Sequence, residues 1–216
     1  ACILPVDVLH MAAEACKNFD GMDLSLLEIS HRSKNFVNVM DKARGLVKEL
    51  LNVPDGYSVL FLQGGASSQF VMVPYNLLSA DGMAAYANTG TWAGNAIQEG
   101  RRLGNIEVVA TSEDANFNYI PKGFNIPSDA EYFHYTSNNT IFGTQYHEVP
   151  QTDIPVVCDM SSDIFSRKVD VSKFGLIYAG AQKNMGPAGT TLVIVKDDLL
   201  GKNGKDIPSM LNYATH

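Results

Sequence analysis

The chain has 216 residues, 45% of them hydrophobic and 18% charged, a balance that suits a globular protein able to build a sizeable core and is read as one domain over 1–216. A net charge of -7 without any basic run argues against a nucleic-acid or anionic-membrane binder and leaves small molecules as the expected ligands. Three cysteines, Cys2, Cys16 and Cys158, are too few and too irregularly spaced for a disulfide framework or a metal site, so a reducing, cytoplasmic setting with no metal is expected.

The chain opens on "ACILPVDVLH", which lacks the basic segment and apolar core of a signal peptide, and no apolar stretch reaches the roughly 18–20 residues of a membrane span. It closes on "PSMLNYATH", with neither a helix stop nor a charged tail, so the domain is expected to be incomplete at both ends. "YSVLFL" (57–62) reads as a strand. It is followed by "QGGASSQ" and then by "FVMVPYNLL", a helix that Pro74 should kink or end. "AAYAN" (84–88) reads as a strand and "TWAGNAIQEGRRLG" (91–104) as a helix with a glycine stop. Further strands are expected at 106–110, 130–136, 154–160, 174–180 and 190–195. Strands bounded by Gly and Asp and interleaved with helices predict an α/β fold, with a mostly parallel central sheet flanked by helices. In such sheets ligands sit at the carboxyl ends of the strands.

Several special residues fall at those ends. Gly64, Gly65, Ala66, Ser67 and Ser68 separate a strand from a helix, where backbone N–H groups could cradle a phosphate; the run equally suits a tight turn, since it lacks a P-loop lysine and the full GxGxxG spacing. Asp159 ends an apolar strand and could cap a turn. Lys183 follows the next strand amid small residues, Ala179, Gly180, Ala181, Gly186, Ala188 and Gly189, which leave space beside it. Trp92, the one tryptophan, is either core packing or an open ring face for a flat ligand. A phosphate cradle, a stacking aromatic, a carboxylate and an amine together match one cofactor, pyridoxal 5'-phosphate (PLP). Its aldehyde needs an amine, and its pyridine nitrogen needs a carboxylate to stay protonated and act as an electron sink.

The segments "GLIYAGAQKNMGPAGTTLVIV", "VVCDMSSDIFSRKVDVSKFG", "LEISHRSKNF" and "VLFLQGGASSQF" closely resemble the phosphoserine aminotransferase family, PLP enzymes of the aspartate aminotransferase fold type (fold type I). The resemblance implies that Lys183 is the Schiff-base lysine, with Gln182 beside it near the cofactor's hydroxyl or phosphate side. It implies that Asp159 is the pyridinium partner, that Trp92 stacks on the ring, that Ala66 and Ser67 hold the phosphate, and that Thr140 contacts the ring oxygen. His31 and Arg32, which would otherwise read as a solvated helix start, match a pair that holds the acidic end of the substrate across a homodimer interface. The implied reaction is amino exchange between glutamate and 3-phosphohydroxypyruvate, giving 2-oxoglutarate and O-phosphoserine in serine biosynthesis. Two departures accompany the likeness. Some members carry arginine where this chain has Ser67. Members are also longer, adding a Ser-Gly-Pro turn before "ILP", an Asn-Thr pair that reaches the partner's phosphate, and a small C-terminal domain whose arginine binds the substrate carboxylate. The alternatives are a serine-pyruvate aminotransferase, a cysteine desulfurase, for which Cys158 in an apolar strand is expected to be inert core, or a catalytically silent fragment with an exposed apolar patch.

Overall fold

A computed structural model describes residues 3–216, and Cys2 lies outside them. Two helices come first, α1 (Val6–Lys17) and α2 (Lys34–Leu51). Ser33 caps α2 by accepting the Phe36 N–H, and Asn52 ends it in the left-handed conformation. Then follow β1 (Tyr57–Leu62), α3 (Gly65–Leu77), β2 (Met83–Asn88), α4 (Thr91–Arg101) and β3 (Asn105–Thr111). The second half is strand-rich: β4 (Phe133–Thr136), the short hairpin β5 (Asn138–Asn139) and β6 (Thr144–Gln145), β7 (Val156–Asp159), β8 (Leu176–Gly180) and β9 (Thr191–Lys196).

Seven strands form one sheet in the order β1-β9-β8-β7-β4-β2-β3. β9 is antiparallel to both β1 and β8, so β1 and β8 run the same way, and all the other pairs are parallel. The expected mostly parallel sheet is therefore present, with a single reversed strand inside it. β9 is buried on both faces. Leu192 and Ile194 join one core with Ile177, Ala179 and Phe133; Val193 and Val195 join the other with Leu176, Tyr178 and Leu60. The second core is closed by α3 and α4 through Phe70, Met72, Val73, Ala96 and Ile97, and the first by α2 through Val47 and Leu51.

The expected elements appear with small shifts in their ends. The strand expected at 130–136 begins at Phe133, and the one expected at 154–160 begins after Pro155, which has no N–H to give a ladder. Pro74 lies in the last turn of α3 and does not stop it at once. The missing N–H removes one bond, and the Leu78 N–H still reaches the Pro74 carbonyl at 3.2 Å. No described helix is long and apolar enough to cross a membrane. α1 buries no residue, and Val6, Leu9, Met11, Leu27 and Leu50 are exposed, which leaves apolar surface uncovered in the single chain.

Candidate active site

Because six of the seven strands are parallel, their carboxyl ends share one edge of the sheet. Five of the segments leaving that edge carry sequence-predicted residues: 63–67 after β1, 89–92 after β2, 137–140 after β4, Asp159 at the end of β7, and 182–183 after β8. This convergence is set by topology before any side chain is considered.

Asp159 pairs in register with Tyr178 of β8 and with Thr136 of β4. It is only 5% exposed. Ser161 donates to its Oδ1 twice, from the backbone N–H at 2.9 Å and from the hydroxyl at 2.6 Å. The same hydroxyl oxygen accepts the Gly180 N–H at 3.0 Å. One serine thus ties the carboxylate to the end of the neighbouring strand, and Oδ2 receives no hydrogen bond among the described residues. Burial pushes the Asp159 carboxyl above its ordinary value; the Ser161 bonds, and then the charge of Lys183, pull it back down.

Lys183 lies in the turn that follows β8 and is half-buried. Its Nζ stands 4.7 Å from the centre of the Trp92 ring and donates to Thr140 Oγ1 at 3.4 Å. Trp92 opens α4, one turn into the connection after β2, and its indole Nε1 is buried without a hydrogen-bond partner. Thr140 is exposed at the tip of the β5–β6 hairpin. Three predicted residues, Asp159, Trp92 and Thr140, are therefore gathered around the amine of a fourth, Lys183.

Ala66 and Ser67 occupy the first turn of α3. Gly64 caps this helix at φ 88 and Gly65 follows at φ 67, so the chain turns from strand to helix through left-handed backbone, and no side chain caps the end. The first N–H groups of a helix have no intrahelical partner, and here they meet none from a cap. A Cβ on Gly180 would lie 3.5 Å from the Ala66 backbone nitrogen and 2.9 Å from Gln182 Oε1. The helix start, Gln182 and the end of β8 are thereby packed within van der Waals reach.

His31 and Arg32 are not part of this cluster. Both are exposed in the turn before α2, and among the described residues no hydrogen bond or ion pair joins either side chain to the strand-end group. Cys158 is fully inside the sheet and burial pushes its thiol well up, as expected of inert core, whereas Cys16 is exposed on α1. The residue that the sequence reading passed over is Ser161. Its signal is a serine two positions after a strand-ending aspartate, the spacing of a side chain that bonds back onto the carboxylate.

Residues 2–208 match the family model described as aminotransferase class-V, and the chain belongs to that family. More particularly, it is 64% identical over 215 residues to the phosphoserine aminotransferase of Flavobacterium johnsoniae, covering 99% of this chain and 60% of that protein. Among solved structures it is similar to phosphoserine aminotransferase from Bacillus circulans subsp. alkalophilus (TM-score 0.94, 43% identity, 99% of this chain and 60% of that one). It is also similar to the PLP-bound phosphoserine aminotransferase from Trichomonas vaginalis (TM-score 0.92, 32% identity, 99% and 61%). The chain spans about 60% of the length of these relatives.

Proposed function

We propose that residues 1–216 form the cofactor-binding part of a PLP-dependent phosphoserine aminotransferase, which exchanges the amino group between glutamate and 3-phosphohydroxypyruvate to give 2-oxoglutarate and O-phosphoserine in serine biosynthesis. The observation that carries this reading is the meeting of Lys183 and Asp159, from the ends of adjacent parallel strands, beside the Trp92 ring. The donor set fits PLP. A buried carboxylate with one oxygen unbonded suits the pyridine nitrogen, an aromatic face suits the ring, and an uncapped helix N-terminus suits the phosphate.

PLP, when bound, supplies an electron sink for the electrons of the substrate's α-carbon. Asp159 would hold a proton on the ring nitrogen, with Ser161 orienting that carboxylate through Oδ1. Lys183 would hold the cofactor through its amine and, with that amine free, would take the proton from the substrate α-carbon as general base. Trp92 would present a face to the ring and keep water from it, the backbone N–H groups of Ala66 and Ser67 together with the Ser67 hydroxyl would hold the phosphate, and Thr140 and Gln182 would bond the ring's substituents. His31 and Arg32 bind the acidic end of the substrate in the site of a second copy. Their exposed place before α2 leaves both side chains free to meet a second copy, and the whole protein would act as a cytoplasmic homodimer.

The test is an absorption spectrum of the chain with added PLP. A visible band that disappears in Lys183→Ala and shifts when O-phosphoserine is added is expected. A band that is the same in Lys183→Ala overturns the assignment. A greater response to alanine or cysteine than to O-phosphoserine would favour a related aminotransferase or a desulfurase.

A further inference from the structure

The turn at residues 160–167 holds a buried carboxylate, Asp163, that takes no part in the chemistry above. It is 4% exposed. Its Oδ1 accepts the Ser137 hydroxyl at 2.5 Å, and its Oδ2 accepts the Gln145 side-chain amide at 3.1 Å and faces Arg167 Nη2 at 3.6 Å. Ser137 and Gln145 sit at the two feet of the β5–β6 hairpin, so one carboxylate grips both of its strands.

The other flank of the hairpin rests on the start of α4. A Cβ on Gly90 would lie 3.0 Å from the Phe142 ring and 3.2 Å from Asn139 Oδ1, and Thr89 Oγ1 donates to that same Asn139 oxygen at 3.3 Å. The hairpin is thus seated between the segment bearing Trp92 and the turn bearing Asp163, with Thr140 at its tip. The turn also holds the lysine loop, because Asn184 Nδ2 donates to the Ile164 carbonyl at 2.6 Å. Lifting the hairpin would strip a buried carboxylate of its donors, which is a costly change, so the seat is stiff.

We propose that Asp163 is a positioning residue: by anchoring both feet of the hairpin, it fixes the Thr140 hydroxyl against the Lys183 amine and so sets the reactivity of that amine. Its significance for catalysis rests on the role proposed for Lys183, but the arrangement itself can be read without cofactor.

The experiment is acylation of Lys183 in the cofactor-free chain at fixed pH, with the modified peptide quantified by mass spectrometry. Asp163→Ala should change the Lys183 rate by about threefold, as loss of one weak hydrogen bond to the amine would. Thr140→Val should give the same change, and the double variant no more than either single one. Asp163→Asn should stay near the native rate, because Gln145 can turn its amide and keep both hairpin bonds while only the partly exposed Arg167 contact is lost. A purely structural role would not produce this non-additivity or this rescue. If Asp163→Ala fails to fold, Ser137→Ala and Gln145→Ala each remove one foot and replace it in the cycle. Unchanged Lys183 rates in folded variants, or changes that add to that of Thr140→Val, overturn the proposal. A native chain that forms no Lys183-dependent band with PLP overturns the functional reading while the labelling result stands by itself.

Discussion

The Lys183 amine lies 4.7 Å from the centre of the Trp92 ring, within the range at which an ammonium is attracted by an aromatic face. Trp92 is the one tryptophan in the chain, so tryptophan fluorescence reports on the surroundings of this ring. Replacing Lys183 by Met should change the emission without altering the far-ultraviolet dichroism. Trp92→Leu should weaken PLP binding about tenfold, as loss of a stacking surface does, and absorbance titration measures it.

Asp159 leads to two effects of opposite sign. Its folded-state carboxyl titrates above the ordinary value of 3.8, chiefly through burial. Between those two values the folded chain holds a proton that the unfolded chain has released, so this group makes the cofactor-free protein less stable as pH rises through the interval. Asp159→Asn should therefore raise the melting temperature of the cofactor-free chain at neutral pH. The same change should lower PLP affinity about a hundredfold, because the ring nitrogen loses its buried counter-charge. A variant destabilised at neutral pH would contradict the account.

At Gly180 the Gln182 side chain leaves too little room for a methyl group, while the Ala66 nitrogen would be at ordinary contact distance. In Gly180→Ala the new methyl would meet Gln182 Oε1 at 2.9 Å and push that side chain away. The stability loss should be about 1–2 kcal/mol by urea unfolding, since the nearest atoms belong to a flexible side chain. PLP binding should suffer more than stability does.

His134 supplies a dependence on acid. It is buried between Tyr86 and Tyr178, bonds the Tyr178 hydroxyl through Nε2 at 2.9 Å, and burial pulls its pKa down to about 3. Between about 3 and 6.5 the unfolded chain takes up a proton that the folded one refuses, so stability is lost as pH falls across that window. His134→Gln keeps a partner for Tyr178 and should flatten the stability curve there by up to about 1.4 kcal/mol per pH unit.

Much of this was legible in the residues. Two-sided apolar runs such as "PVVCD" and "LIYAG" located the central strands, and the small polar residues after them marked the edge where Asp159 and Lys183 meet. The reversal of β9 was not read, because alternation carries no direction. Connection length does: residues 181–190 are too short for a crossover helix, and that implies an antiparallel neighbour. The helices α1 and α2 were not read: Val6, Val8, Leu9 and Met11 of α1 and Val37, Val39, Leu46 and Leu50 of α2 are exposed, and only Val47 and Leu51 of α2 are buried, so little of either helix faces this chain's core. The placing of His31 and Arg32 away from the amine follows from the fold of the chain and was not legible in their motif.

The reversed strand also has a kinetic meaning. Gly180 and Thr191 are paired across the β8–β9 ladder, and the Ala181 N–H closes on the Thr190 carbonyl at 2.9 Å, so the segment bearing Lys183 is a short loop with both ends fastened together. Closing so short a loop costs little entropy, and contacts near in sequence form soonest. Asp159, Trp92 and the α3 start reach the same edge through much longer excursions of the chain. As the protein folds, the amine's berth should therefore be built first, and the carboxylate, the indole and the helix end should gather around a lysine already in place.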